Sequence, residues 1–376
     1  MNKRITSSVY KAFIVTCITM CISLLGVAFL LLKIITIPFV PNRNIDNMSD
    51  YYTAVWSSVR GNHVDNGRFT VIDISENNRH EISEILKIVN KMGPSIIGID
   101  VSHIWEENKN DDSLLINTIL SLPNVVLPVE YHNTKDNGEK FMYSIFYDQL
   151  KDLPYGVVSF PKTREVLRTY YPHFQIGDQK YDAFSCIIAK KTGTDISYIY
   201  NKKKWLINYT TLNLTDEDAL PAFQLLHLNT RDSLFLASQI KDRIILLGST
   251  NLTNDQHLTP LGNTLSGVMI HAHIINSIIE NKNIKTTPVI LRYFLCFIFA
   301  LLVIEIYNKR SEKLLNYKSI WKKILYSFFV FFVSLILFSL LGTTIFCKMN
   351  YYIDFTPYLI TLIIIYLIRD KYLILK

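Results

Sequence analysis

Four stretches of the chain are short, continuous and aliphatic: FTVIDIS (69–75), SIIGIDV (95–101), NVVLPVE (124–130) and RIILLGS (243–249). Unbroken Val/Ile/Leu runs of this length predict strands buried on both faces, as at the centre of a parallel sheet. Between them the apolar period changes. In NNRHEISEILKIVNKMG, Ile82, Ile85, Leu86 and Val89 recur at three- and four-residue spacing, and the pattern stops at Gly93-Pro94, which predicts an amphipathic helix. DDSLLINTILSL opens with two acids suited to a helix N-terminus and runs on to Pro123. Strand, helix, strand, helix, strand over 69–130 predicts an α/β domain with a mostly parallel sheet and right-handed crossovers.

The middle of the chain, 131–242, is less regular. YGVVSF and WLINY have strand character, and YDAFSCIIAKKTG reads as a helix ending at Gly193. Residues 33–68 and 211–232 predict no element. The last aliphatic strand leads through a polar loop to LTPLGNTLSGVMIHAHIINSII, where Ser266 or Gly267 starts a helix with an apolar stripe of Val268, Ile270, Ile274, Ile275, Ile278 and Ile279. Two histidines sit one residue apart in it. On a helix, residues two apart point about 200° from each other, so His271 and His273 do not chelate one metal from it. His271 is expected to face the strand ends, and His273 to lie at the edge of the stripe or in solvent.

Longer apolar blocks lie at both ends. Residues 12–32 are uncharged and long enough to cross a bilayer as one helix, and 288–307, 324–346 and 352–368 form three further spans. Arg292, Glu305 and Asp354 fall near span ends, within reach of an interface. No small-x-small cleavage site follows the first block, which is read as an uncleaved anchor. Basic clusters occupy 1–11 (Lys3, Arg4, Lys11), 308–323 (Lys309, Arg310, Lys313, Lys318, Lys322, Lys323) and 369–376 (Arg369, Lys371, Lys376). Four spans put all three clusters on one side, which is then cytoplasmic, and put 33–287 outside.

That layout explains a chain that is 49% hydrophobic with a net charge of +7. Residues 33–287 carry 25 Lys and Arg against 28 Asp and Glu, a net −3. The positive excess therefore belongs to the membrane flanks and argues against nucleic-acid binding. Cys17, Cys21 and Cys296 lie in spans and Cys347 at a span end, leaving Cys186 as a lone, buried thiol in the outer region.

The order TVIDIS, SIIGIDV, the acidic EENKNDD, NVVLPV, LINY, RIILLGST, Asp255, TPLG and GVMIHAHIINSII resembles the CHASE2 family, extracytoplasmic sensory domains of bacterial membrane receptors. The resemblance covers most of 69–281, and one span before the domain with three after it also matches the family. Departures are concentrated near the expected pocket. ENNRHEIS replaces a Trp- and Pro-rich stretch, Ser75 replaces a second acid, and NYTT keeps only Asn208 and Tyr209 of a longer pattern. Family members usually continue into a cytoplasmic kinase, cyclase or diguanylate-cyclase domain, whereas here few residues follow the last span. The expectation is a multi-pass inner-membrane protein that signals to a separate cytoplasmic or membrane partner, and a homo-oligomer is compatible with it.

Open parallel sheets bind ligands beyond the carboxyl ends of their strands. Asp73 and Ser75 end the first strand, and Asp100 and Ser102 the second. Thr250, Asp255 and Thr259 follow the last strand, and His271 lies in the helix after them. Asp73, Asp100, Asp255, Thr259 and His271 are the candidate ligand-binding residues, and the helix N-terminus there favours an anion. Each has a bland alternative: Asp73 and Asp100 as caps, Asp255 as an Asx-turn residue, His271 as a packing histidine. Glu106 and Glu107 read as solvated loop charge. GxSxG, Walker, HExxH and GxGxxG patterns are absent from the chain, so neither cofactor nor catalysis is expected. The expected function is sensing. The alternatives are a structural, envelope-docking role and a metal-assisted hydrolase using Asp73, Asp100, Asp255 and His271.

Overall fold

In the computed structural model of the chain, strands β1 (Phe69–Asp73), β2 (Ile96–Asp100), β3 (Val125–Asn133) and β11 (Ile244–Gly248) occupy the four aliphatic runs. Residues 3–24, 57, 59–60, 67–101, 109–133, 140–143, 147–160, 166–176, 178–227, 232–314, 320–354 and 356–374 are described. The chain divides into two compact units: a sheet unit, Arg60–Ile284, and a helical unit, Met1–Val59 with Lys285–Lys376.

The sheet unit runs, after β1, through α2 (Arg79–Lys91), β2, α3 (Lys109–Leu120), β3, β4 (Lys140–Tyr143) and β5 (Tyr155–Val157). Then come β6 (Thr169–Tyr170), β7 (His173–Ile176), β8 (Gln179–Asp182), α4 (Phe184–Lys191), β9 (Trp205–Leu206) and β10 (Leu220–Pro221). Helix α5 (Asp232–Ile240), β11, β12 (Gln256–Leu258), β13 (Thr264–Ser266) and α6 (Gly267–Ile279) complete it. The main sheet has seven strands in the order β10-β1-β11-β2-β3-β4, with β5 also on β3. Six strands are parallel, and β4 is the antiparallel one.

Both faces of this sheet are covered, which is why its strands read as continuous apolar runs. Phe69, Val71, Ile96, Val126, Ile244 and Leu246 pack against α4 and α6. The alternate residues Ile72, Ile97, Ile99, Val125, Ile245 and Leu247 pack against α2, α3 and α5. The ends of α2 follow from its sequence. Asn78 and Glu81 form a reciprocal capping box, and Gly93 leaves the helix at φ +75°. Gly98 and Gly156 allow α4 to lie close on the sheet. A Cβ at Gly98 would stand 2.8 Å from Ile188 and Leu246, and one at Gly156 would stand 2.4 Å from the backbone of Phe184.

The least expected element is the packing of α6. Every residue from Gly267 to Ile278 is buried, because the sheet covers one side and segment 207–214 covers another. A helix enclosed on all sides has no solvent edge. His273, expected at the stripe's edge or in solvent, is therefore 3% exposed. The histidine spacing predicted opposite directions correctly. It said nothing of what lay in each.

In the helical unit, α1 (Lys3–Leu24), α7 (Val289–Leu314), α8 (Ile320–Met349) and α9 (Thr356–Ile374) are the long helices among the described residues. Ala12 and Val15 of α1, Ala300 and Val303 of α7, and Ile360 and Ile364 of α9 share one apolar cluster. Short parallel strands β14 (Lys285–Thr286) and β15 (Tyr351–Tyr352) pair, and Arg292 binds Asp354 at 2.9 Å. Among the described residues, two helical stretches, Val289–Ile306 and Phe332–Met349, are long and apolar enough to cross a membrane. Residues 25–32 of the expected first span lie outside the described residues.

Candidate functional site

Parallel pairing places Asp73 opposite Gly248 and Gly248 opposite Asp100. Two carboxylates thus flank one glycine at the same level, at the carboxyl ends of three adjacent strands. Strand alternation sends both toward the layer of α4 and α6, where Val71, Leu246 and Ile96 already point. Gly248 is required there, because a Cβ would stand 2.7 Å from Val268 of α6. The helices after β1 and β2 lie on the opposite face from the helix after β11. In open parallel sheets the region beyond strand ends that diverge in this way is the usual place for a ligand crevice.

The two aspartates differ in what they hold. Oδ1 of Asp73 accepts from the Thr250 amide at 3.0 Å, the Ser75 amide at 3.1 Å and the Ser75 hydroxyl. Its Oδ2 accepts from Asn251 Nδ2 at 3.4 Å. Ser75 extends the arrangement to Ser249 at 2.8 Å and to the Asn251 amide at 3.3 Å. Asp73 therefore ties the loop after β11 to the end of β1. Asp100 makes no hydrogen bond to a described residue. Desolvation, reinforced by the charges of Asp255 and Glu130, pushes its carboxyl well above the usual carboxylate range. Ser102, Glu106 and Glu107 lie outside the described residues.

Asp255 sits at the N-terminus of α6. Its Oδ2 accepts from the Gly267 amide at 3.1 Å, and its Oδ1 is 3.5 Å from His257 Nε2. A Cβ on residue 267 would meet this carboxylate at 2.7 Å. Asp216 occupies the neighbouring donors, accepting from the Ser266 amide at 3.1 Å, the Ser266 hydroxyl at 2.5 Å and Gln256 Nε2 at 3.1 Å. Two of the protein's own carboxylates therefore already stand at this helix end, which weighs against the external anion expected there. Thr259 lies further off in role. Its backbone and hydroxyl bind Asn263 and Leu261 and close the turn between β12 and β13.

His271 is 3% exposed, between Phe160, stacked at 4.7 Å, and Phe184, edge-on at 5.2 Å. Its Nδ1 is 2.7 Å from Ser185 Oγ. Desolvation lowers its pKa to about 4, against the opposing effect of Asp255. The Ser185–His271 pair has the spacing of a nucleophile and base. Ser185 is 1% and His271 3% exposed, however, so the pair is a buried packing contact. His273 donates from Nε2 to the Leu214 carbonyl at 3.2 Å and packs on Tyr209, while its Nδ1 has no hydrogen-bond partner among the described residues. Burial lowers its pKa to about 4 as well. Among the described residues, no three His, Cys, Asp or Glu side chains are grouped to hold a metal.

Asp255 lies close enough to act electrostatically on both Asp100 and His271, and Asp73 braces a loop on the same edge of the sheet. Asp216, Glu130, His257, Phe160 and Ser185 were not singled out from the sequence. Only Asp216 had a local signal: it begins a short 3₁₀ turn capped by Thr215 and Asp218. The others come from elements whose approach depends on the fold. Asn208 and Tyr209 lie away from the crevice, with Asn208 Nδ2 donating to the Lys282 carbonyl and the Tyr209 hydroxyl to Leu167.

No curated protein and no solved structure matches the chain. The family model for the CHASE2 domain matches residues 65–305. That range contains nearly all of the sheet unit and reaches into α7. The parallel sheet and the ordered motifs lie within it, and the chain belongs to the CHASE2 family of extracytoplasmic sensory domains.

Proposed function

We propose that the chain is a membrane-anchored sensor whose sheet unit lies outside the cytoplasm and binds a small ligand in the crevice beside Gly248. The observation that carries this is Asp100, a carboxyl with raised proton affinity and no hydrogen-bonding partner among the described residues. A carboxyl whose proton affinity is raised by desolvation and by neighbouring acids, at a sheet's carboxyl edge, is a candidate ligand group. Asp255 and His271 line the same region, while Asp73 and Thr259 hold the loops that shape it. The acidic surroundings favour a ligand that donates hydrogen bonds or carries positive charge.

In this reading, residues 12–32, 288–307, 324–346 and 352–368 span the membrane, with both termini and 308–323 in the cytoplasm. Ligand binding shifts a two-state equilibrium in how span 1 packs on the other spans, and a separate partner protein reads the change. The basic clusters support the orientation. Two measurements test it. Impermeant thiol labelling of intact cells, with cysteines placed at Asn137 and Ser311 in a cysteine-free background, is expected to mark 137 alone; labelling of 311 alone overturns the topology. A panel of small amines, amino acids and polyols screened by thermal shift is expected to yield a compound that stabilises the parent and not Asp100→Asn. If every stabilising compound acts equally on both proteins, Asp100 is not a ligand group.

A further inference from the structure

The sheet unit begins at Arg60 and ends at Ile284, and one side chain bonds near both ends. Asn208 Oδ1 accepts from Arg60 Nη1 at 3.4 Å, and Asn208 Nδ2 donates to the Lys282 carbonyl at 2.7 Å. Asn208 is 1% exposed. Its Oδ1 also accepts from the Thr210 amide at 3.3 Å and hydroxyl at 2.8 Å. The amide has only one workable orientation. Reversing it would set oxygen against the Lys282 carbonyl and NH₂ against the donors of Arg60 and Thr210.

The surroundings hold the end of α6 to the same loop. Asn276 Nδ2 donates to the Thr211 carbonyl at 2.8 Å, and the Thr211 and Ser277 hydroxyls are 3.2 Å apart. Asn283 links the Ser277 carbonyl at 3.2 Å to the Tyr170 hydroxyl at 2.8 Å. Arg68, close to the start of the sheet unit, binds Glu280 at 3.3 Å. The helix that begins at the crevice therefore ends in a buried polar network that also grips the unit's first residue.

We propose that Asn208 is a clasp that sets the spacing between the two segments by which the sheet unit joins the rest of the chain, and that α6 connects this clasp to the crevice. The spacing exists without ligand; its use in signalling rests on the sensor reading above. The test uses the full chain in lipid nanodiscs, with its five cysteines replaced and spin labels placed at Val59 and Lys285. The parent is expected to give a narrow distance distribution. Asn208→Ala and Asn208→Asp are expected to lose that narrow peak, the aspartate because it cannot donate to the Lys282 carbonyl. Tyr209→Phe, which removes the neighbouring bond to Leu167, is expected to keep it. An unchanged distribution in folded Asn208→Ala overturns the clasp. If that variant does not fold, the half-buried Arg60→Gln decides by the same reading. Broadening in the variants, with no compound in the panel above binding, leaves the clasp standing and removes the sensor reading.

Discussion

Asp73 and Asp100 stand at the same level on either side of Gly248, at the ends of strands that look alike in sequence. One carboxylate is saturated by the loop after β11; the other has no hydrogen-bond partner among the described residues. The difference arises because the Ser249–Asn251 loop leaves β11 toward β1. Its amides reach Asp73 and leave the Asp100 side of the crevice without those donors. Position at a strand end therefore does not make an aspartate a ligand group. What matters is whether the neighbouring loop has already used it.

The largest expected effect separates the pair by acid. His271 and His273 have folded pKa values near 4, below the ordinary 6.5. The unfolded chain thus binds more protons between those values, and stability falls as pH drops from about 6.5 toward 4, by roughly 3 kcal/mol per histidine. Asp100 acts with the opposite sign. Its raised pKa means the folded state holds a proton that the unfolded state releases, so it contributes stability that is lost as pH rises through its folded pKa. Denaturant titrations at pH 4.5 and 7 are expected to show a steeper acid loss in Asp100→Asn than in the parent. An identical pH dependence in the two proteins contradicts the assignment.

Asp73→Ala comes next. It strands the Thr250 and Ser75 donors, and a loss of about 3 kcal/mol is expected in equilibrium unfolding. Asp100→Asn, at the matching position, is expected to raise the thermal midpoint at neutral pH, because a neutral amide removes a desolvated acid and its repulsion by Asp255 and Glu130. If both substitutions destabilise alike, the contrast between the two corners is wrong.

The two histidines sharpen the comparison with a smaller effect. Both are buried, so His271→Ala and His273→Ala are each expected to cost about 2 kcal/mol. Only the first is expected to change the thermal shift produced by a crevice-binding compound, since His273 faces Leu214 and Tyr209. The smallest expected change is Thr259→Val, which loosens one hairpin turn at about 1 kcal/mol and leaves ligand response intact. A lost response there would move the site toward the hairpin.

Much of the fold was legible because its signals are local. The strands of the parallel core, β1, β2, β3 and β11, lie within three residues of their aliphatic runs. Asn78, Gly93 and Gly193 mark helix ends by chemistry that needs only neighbouring backbone. The start of α6 at Gly267 and the opposed histidines follow from helical period alone. Tertiary structure alone decided which groups were already satisfied. Nothing near Asp73 announces that Thr250, 177 residues on, will bond it. The local signal at Asp216 marks a short turn and does not announce that its carboxylate will bind Ser266, the residue before α6. Periodicity placed His273 away from the sheet, and only the segment folded over α6 turned that side from solvent into core. Local propensity depends on the covalent neighbours of a residue, whereas the partner of a buried polar group depends on which distant segment arrives, and that is set by the packing of the whole unit.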